Sequence, residues 1–212
     1  MLLKLNGNII HLFNNNNLGY NLSMRKVILL IVLLLSCSYC LADSSELSKQ
    51  ATAFYSDNNQ VRTMDLILQI NEKDRTGQDW LLLGNVMADS LRMEDAVYMY
   101  QKAIEKDKKC YRAYYNLGNY YFERGENDKA LENYTKASKI SNENPYIYYN
   151  MGCVNIKQGD WNKAKNNFNK AIMFNSKVPE FHYNLAYVYK QLKKDKMAQT
   201  YLDNYNKLAE NQ

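Results

Sequence analysis

The chain has 212 residues, 46% apolar and 23% charged, enough for one or two modest domains with a buried core. Two prolines and eight glycines exclude collagen-like chains and Pro/Gly-driven disorder, and two histidines leave little room for histidine-based catalysis or metal binding. Of 27 basic residues only Lys4, Arg25 and Lys26 precede Asp43, which leaves 24 against 22 acidic residues and excludes a strongly basic nucleic-acid binder.

Residues 1–23 include the run Asn14-Asn15-Asn16-Asn17 and show no clear periodicity. They read as a disordered or untranslated leader, with translation starting at Met24. Residues 24–42 read as a secretory signal peptide: Met24-Arg25-Lys26, then the nine apolar residues Val27–Leu35, then small residues ending at Ala42. Cleavage before Asp43 is the first reading. A lipidated Cys37, after Leu34-Leu35-Ser36, and an uncleaved anchor are the alternatives. The apolar stretch Val27–Leu41 is shorter than the roughly 20 residues that span a bilayer core. Export to the periplasm or cell envelope, or secretion, is the expected localisation, with a membrane tether through this segment as the variant.

Residues 43–76 are weakly periodic. Ala51, Phe54 and Tyr55 can line one helix, and Val61, Met64, Leu66, Ile67 and Ile70 another, with Asp57-Asn58-Asn59 between them.

From Trp80 onward the sequence repeats itself. Trp80-Leu81-Leu82-Leu83-Gly84, Tyr114-Tyr115-Asn116-Leu117-Gly118, Tyr148-Tyr149-Asn150-Met151-Gly152 and His182-Tyr183-Asn184-Leu185-Ala186 stand 34 residues apart, without an insertion. Ala96, Ala130, Ala164 and Ala198 recur at the same period. So do Tyr100, Tyr134, Phe168 and Leu202, then Ala103, Ala137, Ala171 and, out of pattern, Tyr205. Tyr114, Leu117, Gly118 and Tyr121 fall on one helical face. Gly125 and Gly159 suit left-handed helix ends, and Pro145 and Pro179 suit first helical turns. Gly118 and Ala130 are small enough for two helices to approach closely, with Tyr114, Leu117, Tyr121 and Tyr134 filling the space around them.

This pattern resembles the tetratricopeptide repeat family. The resemblance covers residues 77–210 and implies an all-α, right-handed superhelical solenoid of antiparallel helix pairs. The repeats would be 77–110, 111–144, 145–178 and 179–212, after a degenerate capping repeat over 43–76. Helices are expected near 77–90, 93–106, 111–124, 127–140, 145–158, 161–174, 179–192 and 195–209.

The resemblance also implies a peptide partner held on the concave side by the first helix of each pair. The contacts it points to are Asn85, Tyr115, Asn119, Phe122, Tyr149, Ile156, Tyr183, Tyr187 and Lys190. Tyr187, Phe122 and Ile156 stand out as apolar bulk on a solvent-facing curve. Tyr114, Tyr121, Tyr134, Tyr148 and Tyr189 are expected in the core. The family's clamp for C-terminal carboxylates is mostly missing, because Leu81, Tyr146 and Asn150 stand at its basic positions.

The expected function is a protein-interaction scaffold; a tethered assembly factor of a secretion, pilus or outer-membrane machine is the alternative. An enzyme is the remote alternative. No nucleophile motif, metal-spaced cluster or phosphate loop is present, so no catalytic residue, metal or cofactor is assigned. His182 occupies a large core position. Cys110 precedes the first helix of its repeat while Cys153 lies mid-helix in the next, too far apart along the axis to pair, and both are expected as free thiols. The last helix carries the stripe Met197, Tyr201, Leu202, Tyr205 and Leu208, a cap in itself or a homo-oligomer face.

Overall fold

The computed structural model describes residues 2–5, 8–11 and 43–210. The chain divides into two units, Met1–Glu46 and Leu47–Gln212. In the first, β1 (Leu2–Leu5) pairs antiparallel with β2 (Asn8–His11), Leu5 opposite Asn8. Part of the expected leader is therefore a strand pair. The expected signal segment 24–42, with Cys37 and Cys40, lies outside the described residues. Among the described residues no helix is long and apolar enough to cross a membrane.

The second unit is an all-α solenoid. Helix α1 covers residues 43–56, with the boundary between the units inside it, and α2 covers Gln60–Leu68. A short 3-10 turn at Glu72–Asp74 leads into four pairs. These are α3 (Gly77–Asp89) with α4 (Met93–Lys106), α5 (Tyr111–Glu123) with α6 (Asn127–Ile140), α7 (Pro145–Lys157) with α8 (Trp161–Phe174), and α9 (Pro179–Gln191) with α10 (Asp195–Ala209). Their ends fall within one residue of the expected ranges.

Local chemistry sets those ends. Helix α3 starts with a capping box: Asp79 N–H donates to the Thr76 hydroxyl at 3.2 Å, and Thr76 N–H donates to Asp79 Oδ2 at 2.7 Å. Pro145 and Pro179 stand in the first turns of α7 and α9. Each first helix ends on a left-handed residue, Leu91 at φ 59°, Gly125 and Gly159 at 75° and Lys193 at 56°. The same bond closes all four turns: the N–H groups of Arg92, Glu126, Asp160 and Lys194 reach the carbonyls of Met87, Tyr121, Asn155 and Tyr189 at 2.8–2.9 Å. The geometry belongs to the turn, so Leu91 and Lys193 bear it despite their side chains.

Packing is densest within each pair, then between a second helix and the next first helix. The core is therefore a row of clusters along the stack, as expected of a quasi-one-dimensional fold. Ala96, Ala130 and Ala164 are fully buried, as are Ala103, Ala137 and Ala171. At Gly84, Gly118 and Gly152 the close approach is to an aromatic ring of the second helix rather than to the neighbouring alanine. A Cβ on Gly118 would stand 2.5 Å from Tyr134 Cε1, and one on Gly152 would stand 2.7 Å from Phe168 Cε1. Of the five tyrosines expected in the core, Tyr134, Tyr148 and Tyr189 are buried, while Tyr114 and Tyr121 are half-buried at cluster edges.

The leading helices share the first cluster: Ala51, Leu66 and Ile67 pack with Trp80, Leu81 and Leu83. Val61 does not line α2 as expected and is 69% exposed. The buried face of α2 is Thr63, Leu66 and Ile67, spaced i, i+3, i+4, and Val61 lies off it. The Thr63 hydroxyl is satisfied by the Asn59 carbonyl at 2.9 Å. At the other end, α10 buries none of its residues, and Tyr205 lies half-buried with its ring 5.2 Å from that of Tyr183.

Candidate functional site: the wall of first helices

Helices α3, α5, α7 and α9 are tied to one another by side chains across the repeats. Asn85 Oδ1 accepts from the Tyr100 hydroxyl at 3.1 Å and from Asn116 Nδ2 at 2.9 Å. One repeat on, Asn119 Oδ1 accepts from the Tyr134 hydroxyl at 2.7 Å and from Asn150 Nδ2 at 2.9 Å. Asn150 Nδ2 also donates to the Tyr115 oxygen at 3.0 Å. In the next step Cys153 stands in the asparagine's place and Phe168 in the tyrosine's. The tie is then made by Asn184 Nδ2 donating to the Tyr149 oxygen at 2.9 Å.

Burial fixes the protonation of the wall. Burial raises the pKa values of Tyr100, Tyr115 and Tyr134 above the ordinary 10.0. Burial, and then the neighbouring Cys153, push Tyr149 up to about 12. Burial likewise pushes the Cys153 thiol up to about 11. These groups are neutral at physiological pH and act as hydrogen-bonding and packing groups rather than as acids or nucleophiles. Cys110 and Cys153 are free thiols.

Two open clefts flank the ladder. The N-terminal one, about 510 Å3, is bordered by Tyr55, Asn85, Asp89, Leu91, Met93, Tyr100, Asn116, Asn119, Tyr120 and Glu123 among others. The C-terminal one, about 400 Å3, lies between α9 and α10 and is lined by Tyr183, Ala186, Tyr187, Lys190, Asp195, Ala198, Gln199 and Leu202. The nine expected contact residues are thereby sorted. Asn85 and Asn119 border the first cleft, with their amide oxygens taken by the ladder. Tyr183, Tyr187 and Lys190 line the second, with Tyr183 51% and Tyr187 42% exposed.

Tyr115, Phe122, Tyr149 and Ile156 are half-buried between the clefts and serve packing as well as any surface. Phe122 packs on the cluster of Tyr134 and Val154, and Ile156 on that of Phe168 and Leu185. The Tyr115 ring lies 5.8 Å from Tyr134, and the Tyr149 ring 5.0 Å from Phe181. The residues not anticipated are Asn116, Asn150 and Asn184, which make the ties, and Leu91, Met93 and Tyr120 at the first cleft. The three asparagines recur at one repeat position, a signal present in the aligned segments.

His182 is a core residue. Its Nε2–H donates to the Ser176 carbonyl at 2.9 Å, the bond that the Tyr148 hydroxyl makes to the Asn142 carbonyl at 2.8 Å one repeat earlier. A histidine that copies a tyrosine's structural bond is explained without catalysis. Among the described residues no group of three or more His, Cys, Asp or Glu side chains is placed to hold a metal ion.

Comparison with known proteins agrees with this architecture. Models described as TPR repeat and tetratricopeptide repeat match residues 99–132, 118–159, 154–193 and 179–212, which together span 99–212. No curated protein matches the chain. Among solved structures, MamA of AMB-1 superposes with a TM-score of 0.66 at 15% identity, over 79% of this chain and 92% of that one. Another MamA structure gives 0.67 at 19% identity, over 76% and 95%. PilF of Pseudomonas aeruginosa gives 0.69 at 18% identity, over 78% and 76%. At these identities the likeness is one of fold.

Proposed function

The chain belongs to the tetratricopeptide repeat family, and from that premise we propose that it is a non-catalytic scaffold whose wall of first helices holds an extended segment of a partner polypeptide. The observation that carries this reading is the pair of exposed rings, Tyr183 and Tyr187, held beside Lys190 in a cleft of about 400 Å3. A tyrosine offers a rigid apolar face and a polar tip, and it loses little entropy on binding. The ladder supports the reading too. Ties between first helices preset the spacing of the contacts, so the scaffold need not refold around its guest.

Export belongs to the same proposal and rests on the sequence of residues 24–42, with cleavage at Ala42, lipidation at Cys37 or retention as an anchor as its three forms. A scaffold of this kind would act on proteins outside the cytoplasm.

The test is capture from the native cell by full-length protein carrying Tyr183→Ala with Tyr187→Ala. Both side chains are exposed, so helicity by circular dichroism should be unchanged while partner recovery falls at least fivefold. Undiminished recovery would refute the groove reading.

A further inference from the structure

The turn inside each helix pair carries a charge that climbs along the stack. Over residues 88–96 the charged side chains are Asp89, Arg92, Glu94 and Asp95, a net −2. Over 122–130 they are Glu123, Arg124, Glu126, Asp128 and Lys129, a net −1. Over 156–164 they are Lys157, Asp160 and Lys163, a net +1, and over 190–198 they are Lys190, Lys193, Lys194, Asp195 and Lys196, a net +3.

Local ion pairs absorb part of the first three: Arg92–Asp95 at 2.6 Å, Lys129–Glu126 at 2.6 Å and Lys163–Asp160 at 2.6 Å. Among the described residues none of Asp89, Glu123, Lys157 and Lys190 is in an ion pair, and all four are exposed. Asp89 accepts a hydrogen bond from Gln60 Nε2 at 2.9 Å. Asp89 and Glu123 border the N-terminal cleft and Lys190 lines the C-terminal one, so the ramp runs from one cleft to the other. Leu91, 87% exposed on its left-handed turn, adds an apolar lip at the acidic end.

On the groove reading above, we propose that the occupant is an extended polypeptide segment whose charge runs the opposite way. Its cationic and apolar end meets Asp89, Glu123 and Leu91, and its anionic end meets Lys190 and Lys193. Neighbouring packed helices lie about 10 Å apart, so the first to the fourth repeat spans about 30 Å. An extended chain rising about 3.3 Å per residue covers that distance in about nine residues. Screening over about 8 Å at physiological salt is shorter than one repeat, so each turn reads only the nearest part of the guest and the ramp sets its direction.

A second copy laid antiparallel along this edge would also match opposite charges. The edge lacks an apolar seam for that, because positions 91, 125, 159 and 193 are Leu, Gly, Gly and Lys.

The test uses the full chain and three fluorescein-labelled eleven-residue peptides of identical composition, in two charge patterns. One carries two arginines and a leucine at one end and two glutamates at the other, made in both chain directions; in the other the charges alternate. Anisotropy should show one direction of the polarised peptide binding at least tenfold tighter than the alternating one. Asp89→Lys with Glu123→Lys, and separately Lys190→Glu with Lys193→Glu, should each remove that advantage. Equal affinities, or no saturable binding, overturn the proposal. So does a salt-sensitive dimer in sedimentation that either charge reversal dissociates, which would assign the ramp to self-association. If Tyr183→Ala with Tyr187→Ala loses the cellular partner while both charge reversals retain it, the groove stands and the charge matching falls. If the tyrosine pair retains the partner, the groove reading itself falls.

Discussion

The first two repeats and the last two solve one problem with different chemistry. In the first two, the second helix sends a tyrosine across to an asparagine on the first: Tyr100 to Asn85 and Tyr134 to Asn119. In the third, the same two positions are Phe168 and Cys153, and in the fourth Leu202 and Tyr187. Where the hydroxyl goes, the amide goes with it. A lone asparagine there would leave a polar group short of a partner, and a lone tyrosine would bury an idle hydroxyl. The swap therefore marks one pair of positions as a single energetic unit. It also frees the position after the repeat glycine, so that Tyr187 can stand exposed in the C-terminal cleft while Asn85 and Asn119 are held by the ladder.

The largest expected effect that could break this comparison is a coupling in the third repeat. Cys153→Asn alone and Phe168→Tyr alone should each cost about 1–3 kcal/mol in urea unfolding, because each introduces half of a polar pair beside a buried ring. The double variant should recover most of that, with an interaction of about 1–2 kcal/mol. Strictly additive losses would mean that the two positions are independent.

A smaller effect, confined to alkali, sharpens the comparison. The pKa values of Tyr100, Tyr115, Tyr134 and Tyr149 are raised in the fold, chiefly by burial. In the unfolded chain these hydroxyls ionise near the ordinary value of about 10. The unfolded state therefore binds fewer protons than the folded one above that pH. Stability contributed by these groups is complete below it and is lost as pH rises toward the folded values. Melting temperature should hold steady to about pH 9 and fall from about pH 10 upward. The fall should be shallower in Tyr134→Phe with Asn119→Cys, which gives the second repeat the third repeat's pair. An unchanged slope would show that the ladder hydroxyls are not what alkali attacks.

Much of the fold is legible because periodicity, proline in first turns and glycine after helices are backbone signals that tertiary context does not overturn. The rest is hidden for identifiable reasons. Leu91 and Lys193 occupy the left-handed turn without a glycine to announce it, since closing hydrogen bonds impose the geometry. Val61 misleads because a nine-residue helix buries only one narrow face, and Thr63, with its hydroxyl returned to the Asn59 carbonyl, fits that face better than its polarity suggests. Asn116, Asn150 and Asn184 sit in plain sight at one repeat position. A polar residue in mid-helix reads as a solvated face until a neighbouring helix is known to lie within reach. The site is less legible than the fold for the same reason: Phe122 and Ile156 are apolar and on the right helices, but the adjacent repeat covers them.

The central claim is that the wall of first helices, and not the outer face, meets a partner. Site-specific photocrosslinking in the native cell tests it directly. A benzophenone side chain at Tyr187, in the C-terminal cleft, should yield a discrete partner adduct. The same group at Met173, exposed on the second helix of the preceding repeat, should yield none. Adducts from Met173 and silence from Tyr187 would contradict the claim.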